Sequence, residues 1–468
     1  MMPGAPANHP PADVATDPSP RRRLTLLDTT SIIVGIIIGA GFFETTPQVA
    51  RGVGSLWATL VVWVAGGLIA LAGAVCYAEL TAAWPRDGGE YVYLTRAFGR
   101  RTGFVFAWAW FWVVRPGNLG AMAYVFARYA DELLPLPLGR YAFGAYAVGA
   151  VVVLTAVNAL GVQTGKWTQN LLTAAKVAGL LAVFATGLLL AAPPESLPPT
   201  QDAVAAAPTV AGLYLAMILV LFTYGGWNDM SYVADEVRDP DRNLLRGLVL
   251  GTVAVVAIYL VGNVVFARAL GFQQFAASEA IAADVMRHGF GAAGGRFISA
   301  LVCVSCLGAL NGMILTSARV YYAVGTDYPD YAWLGKWNVT LNSPVRALAF
   351  QAAATLALVA MLGLGREGFE RLVVFTAPLF WFFLLLTGLS LFVLRRREPH
   401  TPRPYRVAGY PWTPLLFCAS SGFMVYASTR YAFANRAGEA LWAVGLTATG
   451  VLASLYSVRR NDDESERT

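Results

Sequence analysis

Apolar residues in this sequence occur in unbroken blocks of roughly twenty residues, not at the spacing of an amphipathic helix or strand. A water-soluble core has no room for so many such blocks, and inside a bilayer only helices or closed barrels satisfy their own backbone. The charged fraction is 13%, whereas soluble domains have about 25%. The sequence therefore predicts an all-α integral membrane protein.

The apolar blocks predict twelve transmembrane helices between two cytoplasmic tails. Residues 1–23 and 459–468 are too polar to cross a membrane, and the first of these segments lacks the apolar stretch of a signal peptide, so it is predicted to be disordered. The twelve spans are predicted near 24–50, 56–83, 99–129, 141–161, 168–192, 208–235, 244–271, 296–325, 345–363, 368–394, 412–429 and 438–458.

Basic residues in the loops predict the orientation of the chain. The loops on the side that holds both termini carry more than twice as many arginines and lysines as the loops on the other side. Because cytoplasmic loops retain positive charge, we expect both termini to be cytoplasmic and the chain to lie in the cell membrane. With an odd total number of spans, the arginines at 395–397 and those at 459–460 would lie on opposite sides of the membrane. The excess of basic residues on one side therefore favours twelve spans.

Two of the apolar blocks are interrupted by glycines at matching positions. Span 1 contains VGIIIGAGFF at 34–43, and span 6 contains FTYGGWND at 222–229. Span 6 comes five spans after span 1, an odd offset, so the halves of the chain would be inverted relative to each other in the membrane. Paired interruptions of this kind are typical of transporter sites. They predict inverted repeats at 24–192 and 208–394, with the last two spans at 412–458 peripheral.

An interrupted helix inside a membrane leaves backbone polar groups that a cavity or a ligand must satisfy. At 39–41 the amides would begin the outer half of span 1, where the helix dipole favours a carboxylate. At 223–226 the carbonyls that end one half-helix would suit an ammonium group. Together the interruptions predict a site for a zwitterion. The structural alternative is that these glycines only allow close helix packing.

Several stretches, spread over nearly the whole chain, resemble the amino acid–polyamine–organocation superfamily. Within it the chain resembles a bacterial-type member of the L-type amino acid transporter family. The resemblance implies a LeuT-like 5+5 inverted repeat with broken helices 1 and 6, sodium-independent exchange of amino acids, and no cofactor. The stretches are IVGIIIGAGFF, YAELTAAWPRDGGEYVYLTRAFG, VVRPGNLGAMAYVFARY, FTYGGWNDMSYVADEVRDPDRNL, LGALNGMILTSARVYYA and PRPYRVAGYP.

The resemblance also implies roles for residues at the two interruptions. The substrate carboxylate would bind at residues 39–41, and the ammonium group would bind carbonyls near Ile36, Phe222 and Thr223. Phe222 corresponds to the aromatic gate that closes the site from outside. Ala40 stands where a serine is common, which removes a hydroxyl but leaves the backbone donors. The predicted substrate-binding residues are Ile36, Gly39, Ala40, Gly41, Phe222, Thr223, Tyr224, Gly225, Gly226, Trp227 and Asn228.

Lys176 is an ionisable residue placed deep within span 5. It lies about 15 Å along the helix from Lys166, beyond easy snorkelling, and a charge at this depth indicates a function. Sodium-coupled relatives of this fold hold a sodium ion between spans 1 and 8. The resemblance implies that the Lys176 ammonium replaces it, with carbonyls near Ile36 and the hydroxyls of Thr316 and Ser317 as partners. The alternative is a lysine that faces a water-filled cavity.

Two acidic residues depart from the pattern of the family. Glu44 lies one turn beyond Gly41, and Asp229 follows Asn228, where an aromatic or small polar residue is usual. Either carboxylate could select a cationic amino acid or carry a coupling proton. The structural alternatives are a solvated vestibule wall and a salt bridge with Arg115.

Three classes of function compete at this stage. The first is an exchanger of neutral L-amino acids, which is favoured, and the second is a proton-coupled symporter of amino acids, including cationic ones, or of polyamines. The third is a membrane enzyme or sensor, which is disfavoured because His288 and His400 lie in loops without acidic or metal-binding neighbours. The paired Cys303 and Cys306 have no partners for a metal site and are interpreted as packing residues.

The predicted partners are an amino-acid substrate and the lipid bilayer. The positive charges lie in short loops between spans, so they report topology and not nucleic-acid binding. Animal relatives of this family bond a glycoprotein subunit through a cysteine between spans 3 and 4. No cysteine lies between Arg128 and Arg140, so we expect no disulfide-linked heavy subunit.

Overall fold

The computed structural model describes residues 23–189, 209–362 and 368–465, and within these ranges the chain folds into helices joined by short connections. The predicted tail at 1–22 and the last three residues lie outside the described part. The helices are α1 (Leu26–Ile37), α2 (Gly41–Val53), α3 (Leu56–Ala83), α4 (Glu90–Phe98), α5 (Arg100–Ala109), α6 (Arg115–Leu133), α7 (Ala142–Ala159), α8 (Val162–Leu189), α9 (Val210–Thr223), α10 (Pro240–Ala277), α11 (Ile281–Asp327), α12 (Val345–Leu362), α13 (Gly368–Arg397), α14 (Trp412–Asn435) and α15 (Ala437–Ser465).

The first predicted interruption lies between α1 and α2, which are bent by 54° relative to each other. α1 begins with a capping box, in which the Thr25 hydroxyl accepts from the Asp28 amide and the Asp28 carboxylate accepts from the Thr25 amide. It ends at Ile37, and α2 runs from Gly41 until Gly54 adopts a φ of 74°. Span 1 is therefore two half-helices, as the glycines predicted.

The second interruption follows α9. Thr209 caps the start of α9, which ends at Thr223, and Gly226 has a φ of 110° that only glycine adopts readily. The chain then continues as a 3₁₀ helix over Trp227–Glu236. Both predicted interruptions are thus present in the structure.

Within the described ranges, nine helices are long and apolar enough to cross a membrane, or ten if the bent pair α1–α2 counts as one span. The spans predicted at 99–129 and 412–429 fall on helices outside this set. The first contains a π-helical turn at Trp110–Val114 between α5 and α6, through which the backbone stays helical, and the second is α14. Over the described residues the structure therefore establishes an all-helical fold with nine or ten helices that are long and apolar enough to span a membrane. α15 continues to Ser465, past the end predicted for the last span.

Residues predicted to share one membrane face contact each other in the structure. Arg23 donates its amide to the Glu236 carbonyl at 2.8 Å, and its own carbonyl accepts from Lys166 Nζ at 3.4 Å. Arg96 pairs with Glu398 at 2.9 Å. The opposite face has its own pairs, in which Ser299 bonds to Glu132, Arg371 to Glu439 and Arg436 to Glu370. This grouping agrees with the alternation of loops predicted from the sequence.

Small residues allow the half-helices α2 and α9 to pack closely. A Cβ atom built on Gly212 would lie 2.1 Å from the Gly52 carbonyl oxygen, and one built on Gly52 would lie 2.9 Å from that of Gly212. These backbones touch without intervening side chains, as in small-residue packing of membrane helices. The contact holds the outer halves of the two broken spans side by side.

We therefore expect Gly212→Ala to destabilise the protein by about 1–3 kcal/mol, the usual cost of overpacking a tight contact. The measurement is the melting temperature of the detergent-solubilised protein, followed by tryptophan fluorescence. Gly149→Ala is the matched control, because a Cβ atom at this helical glycine meets nothing within 4 Å. Equal melting temperatures for Gly212→Ala and the wild type would show that the contact does not hold α2 to α9.

Candidate functional site

The two interruptions lie against each other in the middle of the helical bundle. The hydroxyls of Thr45 and Thr223 are 3.0 Å apart, joining the first turn of α2 to the end of α9. A Cβ atom at Gly226 would lie 2.6 Å from Cγ2 of Ile36, so the 3₁₀ segment packs on the end of α1. The residues that the sequence predicted to bind one ligand are thus brought together.

The start of α2 presents backbone donors without acceptors. Among the described residues, no hydrogen-bond acceptor faces the amides of Gly41 and Phe42. The dipole of α2 places partial positive charge at this end, so an anionic group is the complementary ligand. Gly39 lies beside the Met122 side chain of α6, where a Cβ atom would be 3.2 Å from Cε. This end of the site therefore suits a carboxylate.

Backbone acceptors without donors lie close to these amides, at the ends of α1 and α9. In the described part of the chain, the carbonyls of Ile36 and Thr223 accept no hydrogen bond. The Phe222 carbonyl differs, since the Gly225 amide donates to it at 3.1 Å. Of the three carbonyls predicted for an ammonium group, two are thus open to a ligand and one is occupied within its own turn.

The aromatic residues around the second interruption have separate surroundings. The Tyr224 hydroxyl donates to the Trp63 carbonyl at 3.1 Å, and the Trp227 ring packs edge-on against Tyr77 with centroids 5.0 Å apart. The Phe222 side chain is 41% exposed. Tyr224 and Trp227 therefore anchor the turn to neighbouring helices, and the gate role of Phe222 remains a prediction.

Lys176 lies fully buried against the end of α1. Its Nζ donates to the Gly35 carbonyl at 2.7 Å, one residue before Ile36. The two hydroxyls predicted as its partners bond elsewhere, because Thr316 donates to Asp229 at 3.3 Å and Ser317 donates to Gln351 at 2.8 Å. In the described part of the chain Lys176 thus bonds to a carbonyl of span 1 and to neither of these two α11 hydroxyls. Its role in place of a sodium ion remains a prediction.

Asp229 forms a two-point ion pair with Arg115. Arg115 Nη1 and Nη2 each donate to one carboxylate oxygen at 2.9 Å, and the two side chains are 1% and 4% exposed. The guanidinium also lies 4.4 Å from the centre of the Trp110 ring. The salt bridge that the sequence left as an alternative is therefore present.

Glu44 pairs with Arg128 at the other end of the site. Arg128 Nη2 lies 2.6 Å from Glu44 Oε1, and the arginine is half exposed over the Tyr129 ring. The Glu44 carboxylate is thus neutralised at the mouth of the site instead of lying free within the vestibule wall. Both acids that depart from the family pattern have an arginine partner.

A carboxylate that the sequence did not single out lies beneath the second interruption. Glu90 Oε1 accepts from the Tyr77 hydroxyl at 2.8 Å and from Asn228 Nδ2 at 3.0 Å, while Oε2 has no partner in the described part of the chain. Burial raises the pKa of Glu90 to about 7. The only local signal is the pair of glycines directly before Glu90, which favours a turn but does not indicate a site. Asn228 therefore ties the 3₁₀ segment to the start of α4.

Comparisons with known proteins identify the family of the chain. The family model described as amino acid permease matches residues 24–452. The chain is 29% identical to the human b(0,+)-type amino acid transporter 1 over 411 residues, which are 87% of this chain and 82% of that protein. It is 29% identical to the mouse large neutral amino acids transporter small subunit 2 over 427 residues, which are 88% and 79% of the two chains.

The raised pKa of Glu90 predicts that stability depends on pH. A carboxyl that binds its proton more tightly in the folded state stabilises the protein fully below its ordinary pKa near 4.5, and the contribution is lost as pH rises through about 7. We expect the melting temperature of the wild type to fall between pH 5 and about pH 8, and that of Glu90→Gln to fall less. Glu132→Gln, at an exposed position, should behave as the wild type. Parallel curves for wild type and Glu90→Gln would refute this assignment.

Proposed function

The chain belongs to the amino acid permease family, and we propose that it exchanges neutral L-amino acids across the cell membrane without sodium. The relatives named above are amino acid transporters by their names, and they align with most of this chain. The direction of coupling and the substrate are our proposal, and they rest on the arrangement at the two interruptions.

The proposal rests on two sets of backbone groups without hydrogen-bond partners, the amides at the start of α2 and the carbonyls at the ends of α1 and α9, which lie close together. The amides of Gly41 and Phe42 have no acceptors, and the carbonyls of Ile36 and Thr223 have no donors, among the described residues. A zwitterion satisfies both sets at once, since its carboxylate accepts from the amides and its ammonium donates to the carbonyls. Such a site recognises the α-carboxylate and α-ammonium groups that all amino acids share. The surrounding helices then contact the side chain and determine its selection.

Lys176 supports the absence of sodium coupling. An ammonium that donates to the Gly35 carbonyl at 2.7 Å places a positive charge beside the end of α1, where a cation would otherwise bind the same kind of oxygen. A second cation next to it would be repelled. We propose that Lys176 holds α1 in place throughout the transport cycle and, unlike a bound sodium ion, does not dissociate.

A proton-coupled symporter of cationic amino acids or polyamines is the alternative function. Its support from the sequence came from Glu44 and Asp229, and each of these carboxylates now has an arginine partner. A carboxylate paired with a guanidinium offers little attraction to another cation. The ion pairs thus favour the exchange of neutral substrates.

The wider architecture follows as part of the same proposal. We propose twelve spans, with inverted repeats at 24–192 and 208–394, and both termini in the cytoplasm. The same-face contacts and the matched interruptions in spans 1 and 6 support this topology. We also propose that the chain acts without a disulfide-linked subunit, since its four cysteines are buried and unpaired.

Purified protein in liposomes tests exchange against proton coupling. We expect uptake of labelled leucine to require unlabelled amino acid inside the vesicle and to be indifferent to sodium and to a pH gradient. Leucine and alanine should compete for uptake, whereas arginine and putrescine should not. Uptake into empty vesicles driven by an inward proton gradient would instead establish the symporter.

The role of Lys176 predicts a loss of transport on substitution. Removing a charged hydrogen bond costs about 1.5–3 kcal/mol, so Lys176→Ala and Lys176→Met should slow exchange by about tenfold or more. The measurement is the initial rate of exchange, normalised to the amount of folded protein in the vesicles. Lys336→Ala is the matched control at an exposed lysine. Exchange at the wild-type rate in both Lys176 variants would exclude the role.

A further inference from the structure

We propose that the Arg115–Asp229 ion pair determines which charge the substrate side chain is allowed to carry. While the pair is intact this part of the site is electrically neutral, and neutral side chains are accepted. If one partner is replaced, the remaining charge selects side chains of the opposite sign. The inference rests on the proposed transport of amino acids and names its substrate class.

The ion pair is built into the second interruption. The Asp229 amide donates to the Gly226 carbonyl at 3.3 Å, so the carboxylate leaves the chain in the first turn after the interruption. Arg115 comes from the first residue of α6, directly after the π-helical turn. The pair therefore joins span 3 to span 6 beside the gap where the zwitterion would bind.

A second connection places the same pair next to the first interruption. The Thr316 hydroxyl donates to Asp229 Oδ2 at 3.3 Å and lies 2.9 Å from the Gly312 carbonyl. A Cβ atom at Gly312 would lie 2.5 Å from Cγ1 of Ile36, so this part of α11 packs directly on the end of α1. The ion pair thus contacts α11 one helical turn from Gly312, the residue that packs on Ile36.

The surroundings of the pair leave one polar group unused. Trp110 and Tyr232 lie over the guanidinium, with ring centres 4.4 and 5.6 Å from Cζ. The Arg115 Nε–H has no hydrogen-bond partner in the described part of the chain, although it is buried. A donor of this kind needs a ligand or a water molecule. The guanidinium is therefore held in place but keeps a free donor for recognition.

Electrostatics in a buried site explains why the pair matters for selection. A charge taken out of water is costly unless a partner neutralises it, and removing one partner leaves the other uncompensated. A substrate side chain of opposite charge would then serve as the missing partner. An amino acid with the same charge as the remaining residue would be excluded, because like charges repel strongly where the dielectric constant is low.

The test measures ligand preference with isosteric pairs of amino acids. For each purified variant, dissociation constants are obtained from the thermal stabilisation produced by glutamine, glutamate, norleucine and lysine. We expect Asp229→Asn to shift the preference towards glutamate over glutamine by about tenfold or more relative to the wild type. The reciprocal Arg115→Gln should shift it towards lysine over norleucine. The double variant Arg115→Gln/Asp229→Asn should return to the neutral ligands.

Asp284→Asn is the matched control, since Asp284 forms an exposed ion pair with Arg287 at 3.0 Å. It should keep the wild-type preferences. If one single variant does not fold, the other and the double variant still decide the outcome. Preferences within about twofold of the wild type in the folded variants would overturn this inference alone. A wild type that binds no neutral amino acid would overturn it together with the proposed function.

Discussion

The constraint on which this structure depends is that a helix interrupted inside a membrane must have its polar backbone groups satisfied. An unpaired amide or carbonyl costs several kcal/mol in hydrocarbon. Here some of the freed groups are satisfied by the protein, since Lys176 donates to Gly35 and the Tyr259 hydroxyl donates to the Ile37 carbonyl at 3.1 Å. Among the described residues the carbonyls of Ile36 and Thr223 accept no hydrogen bond, and in the function that we propose the substrate supplies the donor. Support of the helix and binding of the substrate then use different members of one set of backbone groups.

The buried charges follow from the same constraint. Lys176 has a carbonyl partner, Asp229 has Arg115, and the Glu236 carboxylate lies 2.5 Å from Arg319 Nε. Each charge is placed where it joins two segments that are distant in sequence. Breaking such a pair leaves an uncompensated charge, so each is costly to disrupt and fixes how helices are registered against each other.

Much of the fold could be predicted because its signals are local. Long apolar blocks predict spans, and glycines such as Gly39 and Gly226 predict interruptions, since each signal lies within one stretch of chain. The π-helical turn at Trp110–Val114 has no comparable signal in the sequence, although the helix continues through it from α5 to α6. Hydrophobicity indicates that a segment crosses the membrane but not how its backbone is wound.

The partners of side chains in the site could be predicted less well, because they depend on packing between distant segments. Asp229 and Arg115 are 114 positions apart, so a salt bridge between them could only be one alternative among several. For Lys176, the carbonyl partner near Ile36 followed from the resemblance, whereas Thr316 and Ser317 bond to other residues. Glu90 could not be predicted as part of the site, because nothing in the neighbouring sequence indicates that its carboxylate accepts a hydrogen bond from Asn228.

The contacts at the two ends of the site differ in a way that bears on the transport cycle. At the end that we propose is cytoplasmic, Leu24 forms backbone hydrogen bonds with Glu236 and Arg238, at 2.9 Å each, and Lys166 pairs with the buried Asp28. At the opposite end the main ion pair is Glu44 with the half-exposed Arg128. Exposed ion pairs contribute about 0–1 kcal/mol, whereas buried hydrogen-bonded contacts cost more to break. In the alternating-access cycle that we propose, separating these cytoplasmic polar contacts therefore costs more than separating the Glu44–Arg128 pair.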